Sequence, residues 1–515
     1  GITTHMFIDA RTLADQTSLE VDLAIIGGGV AGITLAHTLA GSGISVCVVE
    51  AGGLDPDPAV QSLYEGENTG IDYSPTATRL RHFGGSSNLW GGYCRPLDAI
   101  DFKQRDWVPF SGWPFTIDEQ APYYKPASGI VEVTPGRFND RDYWQRVSGE
   151  KLPEAATGRM RLQFVQFSPP TRFGSRYGNE LKAAANIRVL LNANVTQISA
   201  TDNAQAVKQL AIRTLNGLRH SVKARYYVLA TGGLENARIL LLSNNVVAAG
   251  LGNQNDLVGR FFMEHPHMGG FAEMVVADLE RLPKILRERV TVEGHSAKAA
   301  FNPTQQFLRE HQLLNATFMM GVAGKYPTGE RPDAANANDR ARRDMLKAAR
   351  IFLTDNADAV KPGSTGAWLG IGGSCEQAPN PDSRVSLSTK HDALGLPRIK
   401  LDWRLTEQDR LSFYTHLHSL ALEFGALGIG RLRVMVADQR DWPQPLGGGS
   451  HHMGTTRMSD NPSHGVVDRN CKVHSVDNLY VAGSSLFPTS GVSNPTLTLV
   501  ALTLRLADHL KERIS

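Results

Sequence analysis

Residues 21–26 are almost continuously apolar, and so are residues 45–49. Runs of that length with little alternation predict parallel strands buried on both faces. Between them Ile33, Leu35, Ala36 and Leu39 recur at helical spacing until Gly41 and Gly43 stop the pattern. The three pieces make a compact βαβ unit. Further β-rich apolar runs at 187–191 and 226–230 predict more strands of the same sheet. At the other end, a strand at 479–482, then Gly483, a loop and a helical stretch from about 494 to 510 repeat the strand–loop–helix order. One domain is therefore expected to be assembled from both ends of the chain.

The middle reads differently. Residues 70–114 are rich in Gly, Ser, Pro and aromatics and predict ordered loops. Strand-like segments at 271–276, 385–387 and 398–401 predict an antiparallel sheet in a second domain. Residues 333–350 are charged and helix-permissive, which predicts a solvated helix on a surface insertion or lid. Thr406 and Asp409 make a helix-capping pair, with Leu411, Leu417, Leu420 and Phe424 as the apolar face until Gly425. The fold class expected is α/β (α+β overall). One domain takes 18–100, 175–265 and 445–515, the other 101–174 and 266–444.

Composition narrows the partners. With 53 Lys+Arg against 51 Asp+Glu and no block of like charge, a nucleic-acid partner is not expected. The cysteines, Cys47, Cys94, Cys375 and Cys471, are scattered without CxxC pairing, which fits a reducing compartment and no thiolate metal site. Gly1 to His5 read as a tag remnant ahead of Met6, and the stretch from Phe7 to Arg11 lacks the long apolar core of a signal peptide. No run is long enough to span a bilayer, so a cytoplasmic location is expected.

The glycine turn Gly27-Gly28-Gly29-Val30-Ala31-Gly32 comes after the first strand and opens the first helix. Gly27 permits the tight turn, Gly29 lets backbone approach a pyrophosphate, and Gly32 lets helix and strand pack closely. Glu50, eighteen residues beyond Gly32, is placed to accept hydrogen bonds from a ribose. There is no second such unit, as a nicotinamide-to-flavin reductase would need. The strand-then-glycine element ending in Ala230, Thr231, Gly232 and Gly233 instead points to FAD.

Seven blocks in order then carry a family resemblance: the first turn with Glu50-Ala51-Gly52-Gly53; residues Gly84 to Gly92; Ala230 to Gly233; Phe262-Met263-Glu264-His265-Pro266; residues 379–385; His451 to Met458; and Ala482-Gly483-Ser484-Ser485 with Ser493-Asn494-Pro495-Thr496. Over essentially its whole length the chain resembles the glucose–methanol–choline (GMC) oxidoreductases, and its C-terminal block is similar to the bacterial sugar-oxidising and pyranose-oxidase-like branch. The resemblance implies a Rossmann-like FAD domain and a substrate domain with a six-stranded antiparallel sheet. It implies FAD contacts from Gly84, Gly85, Ser86, Asn88, Leu89, Trp90, Gly91 and Gly92, and from Ala51, Val195, Gly483, Ser484, Pro495 and Thr496. Leu89 stands before Trp90 where some members carry a flavin-linking His, so non-covalent FAD is expected. His82 and Cys94 are nearby nucleophiles with structural roles expected, and Trp90 reads as packing.

Oxidising an alcohol removes the hydroxyl proton and moves a hydride to the flavin, so the protein must supply a base, an orienting partner and a dry pocket. Histidine suits the base because its ordinary pKa is ~6.5. Sixteen histidines leave the choice to the family pattern, H-x-x-G-T, which selects His451. In an extended segment His452 points the other way and reads as structural. The second family position falls on Asn494, whose amide can orient a hydroxyl but cannot act as a base. It could equally cap the helix that begins at Pro495. Glu264, His265, His267 and Glu376 are too dispersed for a metal site, so none is expected. His265 is expected to stabilise the junction between the domains. The leading expectation is oxidation of a primary or secondary hydroxyl on a sugar, glycoside or polyol. Alternatives are a simple aliphatic or aromatic alcohol, a non-redox hydroxynitrile lyase, or an inert flavoprotein. The acceptor that reoxidises the flavin (dioxygen, a quinone or a protein) is left open.

Overall fold

The computed structural model describes residues 7–326, 336–354 and 365–515. Gly1 to Met6, and Asp333 to Ala335 of the charged segment, lie outside the described residues. The apolar N-terminal runs become strands Thr17–Ile26 and Val46–Val49, joined by helix Val30–Leu39. In the first sheet, six strands run parallel: Phe7–Asp9, Ile187–Leu191, Val46–Val49, Thr17–Ile26, Arg219–Leu229 and Leu479–Val481. Val207–Arg213 and Asn194–Ala200 extend it antiparallel. Leu23, Ala24, Ile25, Val46, Cys47 and Val48 are fully buried, as strands covered on both faces require.

Register fixes what this sheet can do. Leu229 stands beside Ile26 on one side and Val481 on the other. Three strands from distant parts of the chain thus end in one row, and the glycine turns after them emerge together at the carboxyl edge, where open α/β sheets bind ligands.

The second sheet is antiparallel and has ten strands among the described residues. Its six strands of four residues or more are Met160–Phe167, Ala272–Val276, His295–Pro303, Ala316–Tyr326, Gly366–Cys375 and Arg431–Val434. Short ladders at Tyr93–Cys94, His267–Met268, Val290–Val292 and Leu446–Gly447 raise six to ten. Helix Glu407–Leu427 packs its Phe413, Leu417, Leu420 and Phe424 into this sheet's core. The Thr406–Asp409 capping box starts it, and left-handed Gly428 ends it, beyond the expected Gly425. Leu411 is 51 % exposed and not part of the buried face.

Four expectations need correction. Segments 385–387 and 398–401 belong to a separate three-stranded sheet with Gly66–Asn68, because Val385, Ile399 and Leu401 bury against the first core, beside helix Gly233–Leu242. Helix Ile117–Val131, from the 101–174 piece, packs on C-terminal helix Thr496–Ile514, and Tyr124 Oη lies 3.0 Å from Thr498 Oγ1. The charged helix Ala337–Thr354 is docked rather than merely solvated: Leu346 buries against Val275 and Ala277, and Arg342 pairs with Glu273 at 2.9 Å. The C-terminal helix starts at Thr496 with Pro495 at its cap, so Asn494 does not cap it.

Candidate active site

Two glycines make the row of turns possible. Gly27 has φ +111°, and a Cβ there would sit 2.2 Å from the Ala230 carbonyl oxygen. A Cβ on Gly32 would sit 1.9 Å from Gly27 O, so this glycine serves close packing of helix on turn. Gly29 differs: the nearest atom to its Cβ would be Gly85 Cα at 3.9 Å. Its face is open to a cavity of about 840 Å³.

That cavity is lined by Gly27, Gly29, Glu50, Ala51, Gly85, Ser86, Leu89, Trp90, Gly91 and Gly92. Val195, Ala230, Thr231, Gly232, Gly483, Ser484, Pro495 and Thr496 line it as well. Three expected cofactor residues do not. Gly32 is turned into the packing just described. Gly84, at φ +96°, starts the short helical turn Gly85–Asn88, and Asn88 Nδ2 donates to Phe83 O and Gly85 O, so both shape the loop from behind. Arg172 donates to the carbonyls of Ser87 and Trp90, and Trp90 Nε1 to Thr171 O at 3.0 Å, which holds the loop's far end.

The cradle fits a dinucleotide. Helices Val30–Leu39 and Thr496–Ile514 both begin at the cavity with no side-chain cap, leaving backbone N–H groups for an anionic ligand. Glu50 Oε1 accepts from Gly28 N at 2.9 Å and Oε2 from Gly52 N at 2.8 Å, so this carboxylate ties the turn to its strand. Neither His82 nor Cys94 lines the cavity, and burial pushes the Cys94 thiol up to about 12.

At the other end of the same cavity lie Gly448, Gly449, Ser450, His451, His452 and Asn494. Glu264, fully buried, organises this end. Its carboxylate accepts from the backbone N–H of His265 at 2.8 Å and of Gly449 and His451 at 3.0 Å each, and from Tyr73 Oη. Burial pushes Glu264 up to about 7 against the pull of these donors. His452 points away from His451, its Nε2 2.8 Å from Tyr73 Oη and 3.1 Å from Thr78 Oγ1. It is a structural pin, and burial holds its pKa down at about 3.

His451 Nδ1 lies 2.7 Å from His265 Nδ1 and 3.8 Å from Glu264 Oε1. Burial, reinforced by the neighbouring His265, His267 and His452, holds His451 well below its ordinary value, so it is neutral at neutral pH. Its Nε2 has no hydrogen-bond partner among the described residues and is not enclosed by protein. The same holds for the half-buried Asn494 amide. An imidazole nitrogen and an amide, both without a hydrogen-bond partner among the described residues, therefore share one cavity.

The second sheet supplies a roof that no motif in the sequence marks. His267, Lys298, Thr317, Met319 and Ser374 project from the second sheet into the cavity. Thr317 pairs with Ser374, which in turn pairs with His267, and His267 Nε2 lies 3.0 Å from Ser374 Oγ. Thr317 and Met319 share a face by the two-residue period, the signal that could have found them. His265 was expected at a domain junction and instead touches the candidate base.

Residues 379–503 match the family model "GMC oxidoreductase", and residues 22–80, which take in most of the first βαβ unit and the loops after it, match "Lycopene cyclase protein". The chain is 25% identical to 2-methyl-1,2-propanediol dehydrogenase of Mycolicibacterium austroafricanum, over 98% of this chain and 97% of that protein. Residues 379–503 therefore carry the GMC oxidoreductase C-terminal domain. The chain is also 24% identical to the fructose dehydrogenase large subunit of Gluconobacter japonicus, over 96% of this chain and 98% of that protein. Its fold matches the crystal structure of formate oxidase with a TM-score of 0.58 at 17% identity, covering 97% and 99% of the two chains. Among the described residues, no helix is long and apolar enough to cross a membrane.

Proposed function

We propose that this chain is a GMC oxidoreductase throughout, binds FAD, and oxidises a primary or secondary hydroxyl of a sugar, glycoside or polyol to a carbonyl, with His451 as the base and Asn494 as the orienting group. The observation that carries the reading is the pairing of open groups: His451 Nε2 and the Asn494 amide face the cavity that the glycine turns line. Bound in that cradle, FAD supplies the hydride acceptor, and the protein supplies position and proton management. The residues that would hold it are Gly27, Gly29, Glu50, Ala51, Gly85, Ser86, Leu89, Trp90, Gly91, Gly92, Val195, Ala230, Thr231, Gly232, Gly483, Ser484, Pro495 and Thr496. Leu89 offers no linking nucleophile, so the cofactor is held non-covalently.

His451 Nε2 takes the hydroxyl proton. Asn494 accepts or donates a hydrogen bond to the same hydroxyl and turns its carbon toward the cofactor. Thr317, Ser374 and Lys298 on the sheet face supply polar groups that suit a substrate with several hydroxyls. The relatives' names, a propanediol dehydrogenase and a fructose dehydrogenase, favour the same class. The cysteines, all buried and unpaired, favour a reducing, cytoplasmic setting.

The experiment is an anaerobic stopped-flow screen of the yellow enzyme against sugars, glycosides, polyols and simple alcohols. Bleaching of the flavin band by polyhydroxylated substrates is expected. Bleaching by simple alcohols alone would move the substrate class, and cyanide release from a cyanohydrin without bleaching would replace the oxidoreductase reading.

A further inference from the structure

We infer that His265 is a positioning residue that fixes the tautomer of His451, so that Nε2 of the base meets the substrate with its lone pair free. The inference rests on the reading of His451 as the base, and the balance of donors and acceptors around the two rings supports it.

His265 is fully buried, and its Nε2 lies 2.9 Å from Gly491 O and 3.4 Å from Ser490 O. Carbonyl oxygens only accept, so Nε2 of His265 carries the hydrogen. Burial holds the His265 pKa down at about 4, so the ring is neutral and its Nδ1 is bare. That bare Nδ1 sits 2.7 Å from His451 Nδ1. Two bare nitrogens at this distance would set lone pair against lone pair, so His451 Nδ1 must carry the hydrogen and donate it. A neutral imidazole has one N–H. His451 Nε2 is therefore the bare nitrogen, and it is the one that opens on the cavity.

The same geometry serves the step itself. When Nε2 takes the hydroxyl proton, the charged ring keeps its Nδ1–H on His265, with the Glu264 carboxylate 3.8 Å away. The proton is not passed on, because His265 already holds its own hydrogen against two carbonyls and a second would place an uncompensated cation in a buried ring. His265 acts as a clamp, with the backbone at 490–491 as its anchor.

The test uses the FAD-loaded full chain with nitrogen-15-labelled histidine, in which long-range proton–nitrogen correlations separate protonated from bare ring nitrogens. His451→Ala and His265→Leu assign the two rings by disappearance. The expected pattern is His451 protonated at Nδ1 and bare at Nε2, with His265 the reverse. A resting His451 protonated at Nε2 overturns the clamp, whatever the activity. In stopped-flow, His265→Leu should lower the flavin-reduction rate at saturating substrate by at least roughly tenfold, with little change in substrate Kd. His265→Asn, whose side-chain oxygen can stand where Nδ1 stood, should recover most of that rate. An undiminished rate in His265→Leu overturns the clamp and leaves His451 as the base. An undiminished rate in His451→Ala overturns the base reading, and the nitrogen spectrum then decides the tautomer by itself.

Discussion

Glu264 Oε2 accepts the backbone N–H of His451 at 3.0 Å, so a buried carboxylate sets the position of the candidate base. Its other oxygen takes the N–H of His265 and of Gly449. The segments bearing the two touching histidines are therefore tied to one side chain. Glu264→Ala strands three N–H donors and the Tyr73 hydroxyl. At ~1–3 kcal/mol for each buried group left unpaired, and without full additivity, a loss of at least ~3 kcal/mol is expected. Urea unfolding checks it through a lower midpoint at unchanged slope, provided the transition is two-state. A loss below ~1 kcal/mol would mean that water replaces the carboxylate.

The two glycines of the first turn predict different failures. Gly29→Val meets only the cavity, so the protein should fold with normal secondary structure and emerge colourless. Gly32→Val drives a side chain into Gly27 O and should lower stability as well as flavin content. Flavin absorbance per protein and a thermal melt separate the two. Full flavin occupancy in Gly29→Val would contradict the placement of the pyrophosphate.

The pH profile carries a sign. Burial holds His451 well below its ordinary value, and the base must be neutral to act. The neutral form therefore survives as pH falls, and the acid limb assigned to this residue lies well under ~6.5. Flavin reduction at saturating substrate, followed across pH, is the check. A rate lost through a limb at or above ~6.5 that moves in His451 variants would contradict the burial of the ring.

Legibility in the sequence followed the range of each interaction. The first βαβ unit was readable because its apolar runs, its glycines and Glu50 lie within one short stretch. The return of Leu479–Val481 to the same sheet was readable from its own strand–glycine–helix order. Strands at 385–387 and 398–401 were misplaced because alternation reports a buried face but not which core buries it; Val385 and Leu401 went to the first. His265 was read as a junction residue because its contact with His451 spans 186 positions. No local pattern announces a ring nitrogen pairing of that kind. The docked face of helix Ala337–Thr354 was hidden for the same reason, since Glu273 supplies the partner for Arg342.

Asn494 is predicted to act on orientation. Asn494→Ala removes one hydrogen bond to the substrate hydroxyl and should slow flavin reduction by about tenfold, the equivalent of a single ordinary hydrogen bond. Because Asn494 makes no side-chain cap to the C-terminal helix, the thermal midpoint should stay unchanged. A lower midpoint with a normal rate would assign it to the fold instead.

The central claim is that His451 takes the proton while FAD in the glycine cradle takes the hydride. Anaerobic stopped-flow of flavin bleaching, wild type against His451→Ala and with a reducing sugar or polyol from the screen, tests it most directly. The account predicts a yellow variant with normal flavin content and a bleaching rate lower by roughly 10²–10⁴-fold. A yellow variant that bleaches at the wild-type rate would contradict it.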